Sequence, residues 1–227
     1  MYIYFFILQF LLNFCFQLFL TTYHIGSKIT KLNLRSNVIS DVSHLSSLVN
    51  LTHLDLRSNC INDIRPISKL RNLNCLDLSH NKINDIRPLA ELKKLIELNL
   101  DVNHSITHIE PITFNENLSK LSLEFVKMVD FNSIANLINL RTLHLYKNNI
   151  NEIKSLSRLV NLTHLFIDDN PIEDIEPLKD LKKLIRLSLV DNKIKDITPL
   201  NSLVRLSELS IGCNPIDDVS PLSNLTE

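Results

Sequence analysis

The sequence predicts a solenoid, an α/β architecture in which short turns stack in chain order and each contributes one β-strand. Three observations predict it. Asn37, Asn59, Asn81 and Asn103 are 22 residues apart, and Asn148, Asn170, Asn192 and Asn214 repeat the same interval. A pair of aliphatic residues, separated by one position, precedes each asparagine at a constant distance. An acidic residue and, in most copies, a proline follow at fixed offsets. A period of this length marks units that cannot bury their apolar face alone and must stack to do so.

The first element is residues 1–24, an apolar segment outside the repeats. Residues 1–20 carry no charged side chain, and a membrane-spanning helix needs about 20 apolar residues. Gln9, Asn13 and Gln17 fall on every fourth position, which would place one polar stripe on a helix. No Lys or Arg precedes the run, and Thr21 to His24 is a poor cleavage site for an export signal. The positive charges come afterwards, at Lys28, Lys31 and Arg35; in a spanning segment they would keep the repeats in the cytosol. Membrane anchor, export signal and apolar cap over the open end of the solenoid all stay open for residues 1–20.

The repeat domain, residues 25–227, follows with nine strand cores: Leu32/Leu34, Leu54/Leu56, Leu76/Leu78, Leu98/Leu100, Leu121/Leu123, Leu143/Leu145, Leu165/Ile167, Leu187/Leu189 and Leu209/Ile211. Their period of two points the aliphatic residues inward and their neighbours outward. The asparagine that follows can bond backbone groups of adjacent turns, satisfying buried polar backbone where the strand ends. Each buried Leu or Ile contributes about 1.5–3 kcal/mol.

The return segment of each turn carries Pro66, Pro88, Pro111, Pro177, Pro199 and Pro221 at one equivalent place. Proline suits the first position of a short helix, where its missing N–H costs nothing. Asp63, Asp85, Asp174, Asp196 and Asp218 lie three residues earlier, and Asp41, Asp130 and Glu152 fill that place in turns without the proline. Such carboxylates can accept N–H bonds in the turn. An acid present in nearly every copy reads as scaffold, not as catalyst or metal ligand.

The middle of the chain departs from the pattern. Asn103 and Asn148 are 45 residues apart, one more than two periods, with the extra residue in the stretch from Asn103 to His108. Val126 occupies the asparagine place of the intervening turn, and Asn115 falls where a leucine is expected, beside Phe114. A local irregularity is expected over residues 103–126. The last repeat is incomplete at Ser223 to Glu227, so its apolar edge is expected to be exposed.

One full copy runs Leu73-x-x-Leu76-x-Leu78-x-x-Asn81-x-Ile83-x-Asp85-Ile86-x-Pro88-Leu89-x-x-Leu92. This resembles the leucine-rich-repeat superfamily in its 22-residue class, and the D-I-x-P-L segment is similar to repeats of internalin-type bacterial surface proteins. The period is also similar to that of the leucine-rich-repeat regulatory subunit of protein phosphatase 1. The resemblance implies a right-handed, curved horseshoe with a parallel β-sheet on the concave face and short 3-10 helices or turns on the convex face. It does not choose among the family's functions.

On such a frame the outward strand positions form three columns. Large apolar side chains there are not needed for the core. His144, Tyr146, His164 and Phe166 gather on two adjacent strands, with Asp168 beside them, and aromatic anchors dominate interface energies. Arg35 and Arg57 stand beside Asp55 and Asp77 at the other end, a charged zone able to steer a partner. The expected partner is a protein.

Other chemistries find little support. A formal net charge of −1 gives no basic face for nucleic acid. Gly26 and Gly212 are the only glycines, which excludes a phosphate-cradling loop. Cys15, Cys60, Cys75 and Cys213 form no metal-binding spacing. His104 and His108 lack the glutamate of a zinc-protease helix. Asp55 and Asp77 would be neighbouring carboxylates, but on an open sheet with nothing to exclude water. Of the glycosylation-like triplets at Asn50, Asn103, Asn117, Asn161 and Asn224, the three N-L-T copies at Asn50, Asn161 and Asn224 arise from the repeat consensus itself, and the one at Asn103 falls on a ladder position. The sequence thus predicts a protein-binding scaffold without enzyme activity, metal or cofactor, membrane-associated or secreted. The alternative is a cytoplasmic regulatory subunit of a phosphatase or another enzyme.

Overall fold

The computed structural model describes residues 28–128 and 130–224. Nine three-residue strands form one sheet: β1 (Lys31–Asn33), β2 (His53–Asp55), β3 (Cys75–Asp77), β4 (Glu97–Asn99), β5 (Lys120–Ser122), β6 (Thr142–His144), β7 (His164–Phe166), β8 (Arg186–Ser188) and β9 (Glu208–Ser210). They lie in sequence order and every adjacent pair is parallel. The register matches repeat to repeat: Leu32 faces Leu54, Leu54 faces Leu76, and so on to Leu187 and Leu209. The chain is the predicted solenoid of stacked turns.

The return path of each turn is a short 3-10 helix, as at Arg65–Lys69, Arg87–Glu91 and Thr198–Ser202, where proline fills an early helical position. Ahead of these helices Asp41, Asp63, Asp85, Asp130, Asp174, Asp196 and Asp218 each accept the backbone N–H two residues on, at 2.8 to 3.0 Å. The repeated acids therefore close the turn, as their spacing suggested. Between strand and helix lies one continuous aliphatic core, from Val42 to Leu206, with most side chains fully buried.

The asparagines form the predicted ladder. Asn81 donates from Nδ2 to the carbonyls of Leu56 and Leu78, both at 3.0 Å, and accepts the N–H of Ile61 at 3.0 Å. Asn59, Asn103, Asn170, Asn192 and Asn214 repeat this in their own turns. One side chain thus ties its own turn to the preceding one at two points and holds its own turn at a third. Asn103, with no exposed surface, is inaccessible to a glycan.

The residue before each ladder position adopts a left-handed backbone. Ser36, Ser58, His80, Val102, Phe125, Lys147, Asp169, Asp191 and Cys213 have φ between 51° and 57°. No glycine occupies any of these places, although glycine tolerates the conformation best. The kink turns the chain from the strand into the ladder while its N–H still bonds the next turn, as from Ser58 to the carbonyl of Ser79 at 2.9 Å.

The irregularity around 103–126 is confined to the turn and leaves β4 and β5 paired. The extra residue lets Ile106 donate its N–H to the carbonyl of Asn103, at 3.1 Å. That bond replaces the one an asparagine at 126 would have accepted, and Val126 is buried. At the two ends of the described stack the aliphatic residues are only partly covered: Ile29, Leu32, Leu34 and Ile39 at one, Leu209, Ile211, Ile216 and Leu222 at the other. Among the described residues no helix is long and apolar enough to cross a membrane. The segment 1–24, on which the anchor, signal and cap readings fall, lies outside the described residues.

Candidate functional site

The residues that point away from the core make the concave face in three columns set by the register: the first begins Lys31, His53, Cys75, the second Asn33, Asp55, Asp77, and the third, just past the strands, Arg35, Arg57, Ser79. A hollow of about 660 Å³ lies over β1 to β6, lined by Asp55, Asp77, Glu97, Asp101, Glu124 and His144 among others. Much of the charge on this face is used within it. Lys120 reaches Glu97 at 3.8 Å, and Arg186 reaches Glu208 at 2.7 Å.

The second column does structural work at the first four strands. Asn33, Asp55, Asp77 and Asn99 each accept the N–H two residues on, capping the end of their own strand at 2.9 to 3.0 Å. Serine replaces the cap at Ser122 and Ser188, and there an aspartate of the preceding turn substitutes. Asp101 accepts the N–H of Glu124, and Asp168 that of Val190, both at 2.7 Å. Asp168 also accepts the Ser188 hydroxyl at 2.6 Å. Burial pushes the Asp101 carboxyl above the usual carboxylate range, and the N–H of Glu124 opposes that shift.

Asp55 and Asp77 are register neighbours, as expected, and both serve as caps. Arg57 is half-buried, and Arg35 is exposed at the first strand. Cys60, Cys75 and Cys213 are free thiols, and burial raises the pKa of Cys75. Among the described residues no group of three or more His, Cys, Asp or Glu is placed to hold a metal ion.

The aromatic cluster lies three strands further on, roughly 15 Å from this charged zone at the ordinary strand spacing. His144 and Phe166 face each other across β6 and β7 and stack, with centroids 4.5 Å apart and planes 17° from parallel. Tyr146 packs edge-on against Phe125 at 5.1 Å. Glu124 approaches His144 Nδ1 at 3.6 Å. His164 occupies the first column and pairs through Nδ1 with the Thr163 hydroxyl at 2.9 Å. The structure thus brings His144, Tyr146, Phe166 and Asp168 together and leaves Arg35, Arg57, Asp55 and Asp77 as a separate zone.

Phe125 was missed by the sequence reasoning, because it stands one place beyond the outward columns. Its left-handed backbone swings the ring to Tyr146, and Lys147 Nζ lies over the ring at 5.9 Å from the centroid. The signal was its position next to the irregular Val126.

Comparison with known proteins agrees with this geometry. The family model described as leucine rich repeats (2 copies) matches residues 27–69, 138–180 and 182–224, and the leucine rich repeat model matches residues 72–92. The crystal structure of the internalin InlF from Listeria monocytogenes is similar at 33% identity and a TM-score of 0.79, over 88% of this chain and 66% of that one. Internalin C2 from the same organism is similar at 32% identity and a TM-score of 0.61, over 87% of this chain and 77% of that one. A Leptospira interrogans leucine-rich-repeat protein shares the fold at 24% identity and a TM-score of 0.54, over 89% of this chain and 67% of that one. No curated protein matches the chain. The chain spans slightly under two thirds of the InlF structure's length.

Proposed function

The chain belongs to the leucine-rich-repeat family and is internalin-like within it, and from that membership we propose that it is a protein-binding scaffold that holds its partner on the concave face. One observation carries this reading: two aromatic pairs, His144 with Phe166 and Phe125 with Tyr146, meet on a surface the core does not require. Rings locked by one another lose little freedom on binding and offer large contact area, which is what interface anchors need. In this reading Tyr146 and Phe166 are the anchors, with His144, His164 and Asp168 around them. Asp55, Asp77, Arg35 and Arg57 steer the partner's approach along the rest of the arc.

The test is affinity capture with the full chain as bait, wild type against the Tyr146→Ala, Phe166→Ala double variant. Capture is expected to be lost while the melting temperature changes by only a few degrees, since neither ring belongs to the aliphatic core. Unchanged capture by a folded double variant rejects the assignment. Residues 1–20 supply membrane association in this proposal; recovery of the full-length chain wholly in the soluble fraction would remove that part.

A further inference from the structure

Tyr146 stands in the third column between two carboxylates. The backbone ladder continues past the strands, with Phe125 N–H to the Tyr146 carbonyl at 3.0 Å and Lys147 N–H to the Asp168 carbonyl at 3.1 Å. Glu124, Tyr146 and Asp168 are therefore side by side on consecutive turns, beside the His144 and Phe166 stack in the second column. Among the described residues no Lys or Arg lies within ion-pair distance of Glu124 or Asp168. Lys120 and Arg186, the nearest cations of the first column, are engaged by Glu97 and Glu208, and Lys147 by Asp169 at 3.2 Å.

We propose that this tray of rings bounded by Glu124 and Asp168 seats a cationic side chain, so that the partner presents an arginine- or lysine-bearing segment there. This rests on the concave-face reading above and names the chemistry of the occupant. A guanidinium laid over Tyr146 or Phe166 gains from the electron-rich ring face, and its N–H groups reach carboxylates with no Lys or Arg partner: Glu124 has only the His144 ring, at 3.6 Å, and Asp168 uses one oxygen, Oδ1, for the Val190 N–H and the Ser188 hydroxyl. Arginine fits better than lysine, because its planar head both stacks and bonds in a fork. An acidic or purely aliphatic segment would leave two carboxylates facing like charge or losing water without compensation.

The full chain is titrated calorimetrically with an arginine-rich peptide and with the same peptide carrying citrulline, the neutral isostere, at every arginine. The arginine peptide is expected to bind at least about ten-fold more tightly than the citrulline peptide. Glu124→Gln and Tyr146→Leu should each weaken it by about three- to ten-fold, and Glu173→Gln, exposed and outside the strands, should not. Circular dichroism confirms that each variant is folded, and Glu124→Gln decides if Tyr146→Leu is not. Absence of arginine-peptide binding, equal affinity for the two peptides, or an equal loss from Glu173→Gln overturns the proposal. Because the capture experiment uses the natural partner, loss of capture with the double ring variant would leave the scaffold reading standing even when the cation seat fails.

Discussion

Ile106 donates its N–H to the carbonyl of Asn103, within its own turn, whereas its counterparts Ile61 and Ile83 donate to the asparagine of the next turn, Asn81 and Asn103. One added residue and one lost asparagine thus compensate each other. Installing the consensus residue alone, Val126→Asn, would bury a carboxamide oxygen whose donor is already engaged. Such an orphan costs about 1–3 kcal/mol. Urea unfolding is expected to show that loss, and deletion of Ser105 in the same chain is expected to recover much of it. A double variant as unstable as the single one would reject the pairing.

Asn115 is buried at a leucine position, and its Oδ1 has no partner. Its Nδ2 bonds the carbonyls of Leu89 and Leu92, which already accept the N–H groups of Leu92 and Leu95. Asn115→Leu therefore removes an unmet acceptor, strands no backbone group and adds apolar burial. The expected gain is about 1–2 kcal/mol, read as a higher denaturation midpoint with an unchanged slope.

Val102 holds a left-handed backbone at φ 56°, a conformation that costs an L-residue roughly 1–2 kcal/mol and suits asparagine or glycine. Val102→Asn is expected to stabilise the chain by about 1 kcal/mol, and Val102→Ala by less. Equal midpoints for all three chains would show that the kink carries no strain at this turn.

Acid sensitivity should arise on the convex side. The Arg65 guanidinium holds Asp63 below its ordinary value of 3.8, and Arg87 does the same for Asp85. Hydroxyl bonds lower Asp130 and Asp196, and the Ser220 N–H lowers Asp218. A depressed folded-state pKa gives stability that is complete above the unfolded value and is lost as pH falls through the folded one. The melting temperature should therefore hold above about pH 5 and drop below about pH 4. Asp101 has the opposite sign: its raised pKa favours the fold when protonated, and that benefit is gone once pH has risen through the folded value. Asp101→Asn keeps an acceptor for Glu124 and should raise the melting temperature at neutral pH, with little change in strong acid.

The strands, the ladder and the turn-closing acids were legible in the sequence because each repeats one residue type at a fixed offset. The aromatic group at His144, Tyr146 and Phe166 was legible from alternation alone. The left-handed column was not, since serine, histidine, valine, phenylalanine, lysine, aspartate and cysteine all fill it. The caps from Asp101 and Asp168 were hidden for another reason. They act across turns, at Ser122 and Ser188, where serine stands in place of the local cap. The signal lies in a correlation between two columns, not in any single one.

From Asn59 onward the ladder asparagines accept from a residue 20 positions upstream, as Asn59 from Ile39, Asn81 from Ile61 and Asn214 from Ile194, or 22 in the case of Asn148 from Val126. The latch of one coil is thus carried by its successor, so a chain truncated after any such coil would leave that coil's N–H unmet; the coil of Asn103 is the exception, because Ile106 is latched by Asn103 of the same turn.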